Sequence, residues 1–303
     1  MLIGHRKQWQ FLKKSAELEK IPHALLFYGQ SHLGKRTLAM EFIKFLDCQN
    51  LKNRPCQSCR VCQDIQKGQH PDLIMITPVK KEIQIFQIRD LIWKLSLHPY
   101  SAPFKAAIID QAHLMTSEAQ NCFLKTLEEP RGKTLLILIT EYPEMLFSTI
   151  LSRVQKIKFY PVERKEIENY LITQGVPKEK TKLISQLSLG KPGVALEFVL
   201  DNQKLEKQDK IIKEILKIGN SDLVSRFQYA KDLAVNSEDT REVLEIWLRY
   251  FRNALILTVD KKEKIYSLSK LKNILRTIQK INFLISTTNV NPKLALEILL
   301  LEL

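Results

Sequence analysis

Four cysteines set directly behind a phosphate-loop-like segment restrict this chain more than any other feature. Cys48, Cys56, Cys59 and Cys62 read C-x7-C-x2-C-x2-C, and they follow Gly29–Thr37 (GQSHLGKRT) after one helix-length of sequence. Each C-x2-C step suits two ligands on one tight turn. Four thiolates close a tetrahedral zinc shell and leave no position open for water or substrate, so one structural Zn2+ is expected. Disulfides are the competing use and need an oxidising compartment. The opening residues MLIGHRKQWQFLKK hold no apolar stretch of signal-peptide length. His70 is a further donor near the cluster; a proline follows it and a strand comes next, so it reads as a loop histidine. Cys122 lies apart in SEAQNCFLKTLEE and reads as a small core residue.

The first half of the chain alternates short apolar runs with amphipathic stretches. HALLFYG, HPDLIMITP, KAAIIDQAH, KTLLILITEYP and QKIKFYP read as strands. LGKRTLAMEFIKFLDC, IQIFQIRDLIWKLSLHP and TSEAQNCFLKTLEEP read as helices between them, the last capped by Thr116 or Ser117. Buried strands separated by helices imply a parallel sheet covered on both faces. After Pro161 the strand signals stop and amphipathic helices continue to the end. The fold class is therefore α/β and then all-α, with the change near residue 160 and a polar break at DNQKLEKQD (residues 201–209). A chain of 303 residues is long for one core and suits two or three domains. The net charge of +14 favours polyanionic partners, nucleic acid first among them. No apolar run is long enough to span a bilayer as a helix, so a cytoplasmic protein with no membrane partner is expected.

Gly29, Gly34 and Lys35 fit G-x-x-x-x-G-K, in which backbone N–H groups cradle phosphate and the lysine reaches the terminal phosphates. A working loop next needs Ser or Thr to hold magnesium. Arg36 stands there, and Thr37 comes one residue late, a helical rotation of about 100°. KAAIIDQAH ends a strand on Asp110, in place for a metal-linked acid. The following residue, where a glutamate would activate water, is Gln111, and an amide is no general base. Two losses in one site point to a nucleotide fold without hydrolysis, with ATP binding weak or absent.

Together HALLFYGQSHLGK, the cysteine cluster, HPDLIMI, KAAIIDQAH, NCFLKTLEEP, LLILIT and ILSRV resemble the delta-prime family of bacterial DNA polymerase III, the non-hydrolysing members of the AAA+ clamp loaders. The resemblance is specific over residues 3–160 and weakens beyond. It implies a RecA-like AAA+ domain (1–160) with the zinc module at about 48–62, a helical lid (161–204) and a helical collar (205–303). It implies gamma/tau and delta subunits as partners, with the sliding clamp and primed DNA met through the assembled loader during DNA replication. In Ser152-Arg153-Val154 the cysteine of the family's Ser-Arg-Cys motif is absent, but the arginine remains. The resemblance makes Arg153 an arginine finger that reaches a neighbour's ATP. It also places Thr140 at the sensor-1 position and Gly193 where the sensor-2 arginine belongs. An active gamma/tau-type ATPase is the alternative, since it carries the same cysteine module. An unrelated zinc-containing nucleic-acid-binding protein is a third.

Overall fold

The computed structural model describes residues 2–130, 132–235, 237–259, 266–287 and 290–303. Two compact units are present: residues 1–174 with 190–194, and residues 175–189 with 195–303.

The first unit is built on five parallel strands: β1 (Ala24–Tyr28), β2 (Leu73–Ile76), β3 (Lys105–Ile109), β4 (Thr134–Thr140) and β5 (Gln155–Lys158). Their order in the sheet is β2-β3-β4-β1-β5, so the strand that feeds the phosphate loop lies between β4 and β5. Side chains alternate across the sheet with the two-residue period of a strand, and each parity finds its own core. Leu26, Ala107, Ile109, Leu136 and Leu138 pack on one face with Ile88 and Leu91 of α4 (Ile85–Ser96) and Phe123 of α5 (Ser117–Glu128). Leu25, Phe27, Ala106, Ile108, Leu135 and Ile137 pack on the other. There they meet Leu12 of α1 (Arg6–Glu17), Leu38 and Phe42 of α2 (Lys35–Asp47), and Ile65 of α3 (Arg60–Lys67). Burial on both faces explains the unbroken apolar runs of β1, β3 and β4. Only the edge strand β5 is mostly exposed. This unit continues past residue 160 to take in α7 (Arg164–Thr173).

Local signals set the ends of the helices. Thr116 caps α5 by accepting from the Ala119 N–H, and Gln84 and Gln87 form a reciprocal capping box at the start of α4. Asp72 holds the loop before β3 by accepting from the N–H groups of Tyr100, Ser101 and Ala102 at 2.8, 2.8 and 3.0 Å.

The second unit is helical. It holds α8 (Lys178–Leu187), α10 (Asn202–Gly219), α11 (Leu223–Leu233), α12 (Ser237–Val259), α13 (Leu268–Thr287) and α14 (Pro292–Leu301), with most of α9 (Pro192–Leu200). Trp247 and Phe251 of α12, Ile274 and Ile278 of α13, and Leu296 and Leu300 of α14 are fully buried. Arg226 ties two helix ends together, donating to Leu300 O (2.9 Å) and Gly219 O (2.8 Å), carbonyls that a helix terminus leaves without partners. Among the described residues no helix is long and apolar enough to cross a membrane.

Phe42 sits under the sheet with no exposed surface. Phe42→Ala is expected to cost about 3–5 kcal/mol in urea unfolding of the first unit. A loss below about 1 kcal/mol would mean that this face collapses around the deletion.

Candidate functional site

The phosphate loop follows from β1. Gly29 leaves the strand with φ of 143°, and Gly34 caps α2 with φ of 87°. A Cβ on Gly29 would lie 2.5 Å from Phe159 O, so only glycine lets the chain turn here. The loop opens into a cavity of about 520 Å³ lined by Gly34, Lys35, Arg36, Thr37, Asp110 and Thr140, among others. Lys35 folds back on the loop and donates to Gly29 O at 2.6 Å and Gln30 O at 2.5 Å. Burial pulls its ammonium down to about 8, against the opposing pull of Glu141 and Asp110.

Arg36 reaches across the cavity, with Nη1 3.7 Å from Asp110 Oδ2. Thr37 is exposed. Gln111 begins a short 3-10 turn with φ of 53°, and its N–H donates to Asp110 Oδ1 at 3.0 Å. Thr140 Oγ1 is hydrogen-bonded to His113 Nδ1 (3.1 Å) and accepts from the Tyr142 N–H (3.0 Å). Gly193 donates from its backbone to His32 O at 2.9 Å, and a Cβ there would press on His32 at 3.1 Å. The cavity thus gathers the loop, Asp110, Thr140 and Gly193. Its donors do not suit Mg2+, which demands near-octahedral oxygen ligands. A guanidinium stands where a hydroxyl oxygen is required, and it faces Asp110, the acid at the end of β3; Glu141, just past β4, lines the cavity as well.

The four cysteines converge between α2 and α3. Their sulfurs all lie within 4.8 Å of one another, against about 3.8 Å for a tetrahedron of zinc–sulfur bonds. Backbone N–H groups point at three of them: Cys56 to Cys48 Sγ (3.4 Å), Cys59 to Cys56 Sγ (3.3 Å) and Cys62 to Cys59 Sγ (3.5 Å). Such donors favour thiolate. The Ser58 hydroxyl, first among several donors, brings Cys56 down to about 6, whereas burial pushes Cys62 up to about 12. Four sulfurs this close cannot all ionise without a cation among them, and the cluster fits one metal ion. All five cysteines are unpaired. His70 lies outside the cluster: it is buried, and its Nδ1 accepts from the Asp72 N–H at 3.3 Å.

Arg153 lies two residues after the short helix α6 (Ser148–Leu151) and two before β5. It therefore lies at the amino edge of the sheet, whereas the phosphate loop lies at the carboxyl edge. A five-residue strand separates these edges by roughly 16 Å. The guanidinium is about one-third exposed. It is fixed by Glu128 (Nη2–Oε1 2.7 Å), Thr149 O (Nη1, 2.8 Å) and Ser152 Oγ (Nη1, 3.2 Å). Val154, in place of the motif cysteine, is buried.

Two partners were not found by reading motifs. Glu128 joins Arg153 only through the fold. Lys44, fully buried on α2, donates to Glu41 Oε1 (2.8 Å), Gln57 Oε1 (3.1 Å) and Gln66 Oε1, which fastens the cysteine module to the phosphate-loop helix. The available signal was a lysine set three residues after Glu41 beside the apolar stripe of Leu38, Phe42 and Phe45. Metal analysis of the purified protein is expected to give about one zinc per chain. Cys62→Ser should release the metal and lower Tm; a metal-free preparation with an unchanged Tm would contradict this.

Residues 4–163 match the family described as DNA polymerase III, delta subunit. DNA polymerase III subunit delta′ of Bacillus subtilis is 32% identical over 260 residues, covering 84% of this chain and 78% of that protein. DNA polymerase III subunit gamma of Buchnera aphidicola subsp. Schizaphis graminum is 30% identical over 244 residues, covering 76% and 67%. A crystal structure of a DNA polymerase III gamma subunit-related protein from Thermotoga maritima shares the fold. Its TM-score is 0.52 at 21% identity, over 96% of this chain and 97% of that one. With a RecA-like AAA+ sheet, a phosphate loop and a four-cysteine cluster in family order, the chain belongs to the DNA polymerase III delta family of clamp-loader subunits.

Proposed function

We propose that this chain is the delta-prime-type stator of the loader, which does not hydrolyse ATP and supplies Arg153 to a neighbour's ATP. The observation that carries this reading is the separation of two chemistries across one sheet. At the carboxyl edge, the phosphate loop has a guanidinium in the metal-binding position, an amide in place of the base and a glycine in place of the sensor-2 arginine. At the amino edge, a permanently charged planar donor fork is held half-open by three anchors. Arg153 sits too far from this chain's own loop to serve it, which supports a role toward another subunit.

On this reading the partners are gamma/tau and delta, with the sliding clamp and primed DNA engaged by the whole assembly in the cytoplasm. The cysteine cluster holds structural Zn2+, residues 161–204 act as the lid, and 205–303 act as the collar. Outward apolar residues on α14 (Leu294, Ile298, Leu301) and on α11 (Leu223, Val224) support an assembling role for the collar, since each is more than half exposed. A gamma-type ATPase is the second reading. The similarity to a gamma subunit and the intact Gly29, Gly34 and Lys35 favour it.

Arg153→Ala in a reconstituted loader tests the trans role, and hydrolysis by the isolated chain separates the two readings. The site served by Arg153 is expected to lose about a thousandfold in rate. Total turnover should fall by less, because the other sites keep their own fingers. Arg153→Lys should rescue poorly, since a point charge lacks the fork. Wild-type turnover with normal assembly would contradict the proposal.

A further inference from the structure

We propose that the phosphate-loop cavity binds a nucleoside di- or triphosphate without a divalent cation, with the Arg36 guanidinium standing in the metal's place. This inference rests on the non-hydrolysing reading above and adds what the site still does.

In a metal-dependent loop, the hydroxyl after the lysine and the acid at the end of the β3 strand hold the cation between them. Here one side chain spans the same two points. Arg36 grows from the hydroxyl's position, and its Nη1 lies 3.7 Å from Asp110 Oδ2. The remainder of the phosphate site is intact. Gly34 caps α2 in the left-handed conformation, and thirteen helical residues follow it, so the free N–H groups of the first turn face the cavity. Lys35 is buried in the wall beside them, bonded only to two loop carbonyls that a phosphate oxygen can replace as its partner. The cavity of about 520 Å³ suits a nucleotide, and its volume remains open with Arg36 turned toward Asp110.

Charge decides the metal question. A divalent cation between Arg36 and Asp110 would meet a guanidinium that cannot deprotonate and would have to displace it from the acid. Removing the metal leaves more negative charge on the polyphosphate, for which Lys35, Arg36 and the α2 amides supply counter-charge. A guanidinium also matches phosphate oxygens two at a time, as a fixed fork. Asp110 is partly offset by its arginine and Glu141, which also lines the cavity, by Lys35, so the two acids repel the phosphates less. Gln111 cannot activate water, so the bound nucleotide is retained whole.

The test uses the full chain and a fluorescent ADP or ATP analogue, titrated once in EDTA and once in millimolar magnesium chloride. The expected Kd is the same in both buffers to within about threefold, and Lys35→Ala weakens it about tenfold or more. Arg36→Thr restores the hydroxyl at a half-exposed position that the core does not use. It should convert the site, so that magnesium tightens binding about tenfold. Absence of binding in both buffers, magnesium-enhanced binding by the wild type, or metal-independent binding by Arg36→Thr would each overturn the proposal. Release of phosphate from ATP is followed in the same samples. Turnover by the wild type would overturn the non-hydrolysing reading itself, whereas magnesium-enhanced binding without turnover would remove only this inference.

Discussion

Much of the first unit depends on the absence of one carbon atom. Gly29 follows β1 where the backbone just past β5 comes so close that a Cβ would sit 2.5 Å from Phe159 O. Its N–H still reaches Thr140 O at 3.3 Å, so the turn remains tied to β4 while it bends away from the sheet. The direction of that turn fixes where α2 begins. The start of α2 fixes Lys35 and Arg36 over the end of β3, and the far end of α2 carries Cys48. Phosphate loop and cysteine module are thus two ends of one helix, clamped in its last turn by the buried Lys44 and its three oxygen partners. Burying that ammonium requires all its partners, and loss of one would leave charge in the core.

The departures from a working ATP site agree with one another physically. Arginine after the loop lysine brings a cation to Asp110 without a metal. Gln111 carries an amide, which cannot take a proton from water. Gly193 lies so close to His32 that a larger residue would have to push the loop aside. Arg153 differs: its guanidinium keeps a carboxylate, a carbonyl and a hydroxyl around it at the opposite edge of the sheet. Such a half-exposed pair contributes little to stability, so its interest lies in where it holds the fork.

The sheet was legible because burial on both faces writes strands as unbroken apolar runs. The alternation of Leu25 and Leu26, or of Ile137 and Leu138, then divides them between two cores. The cap at Thr116 was legible as one of two neighbours, and its hydrogen bond chose between them. Motif spacing located Asp110 and the cysteine cluster because each depends on positions near in sequence or at a strand end, and the family resemblance pointed to Thr140. The partners that span the fold were not legible. Glu128 and Arg153 are twenty-five residues apart by number, and nothing local in TLEEP or SRV says they meet. Gln57 and Gln66 look like solvated residues until the module folds over Lys44. The division of the helical half depends on long-range packing, which amphipathic patterns reveal only as the existence of helices.

The central claim is that this subunit's own loop drives no ATP turnover in the loader. The direct measurement is steady-state hydrolysis by loader reassembled with Lys35→Ala in this chain alone, at matched assembly. Turnover equal to that of the wild-type loader is the predicted result, because the loop contributes no chemical step. A drop comparable to disabling one active site would show that the loop hydrolyses ATP and would contradict the account.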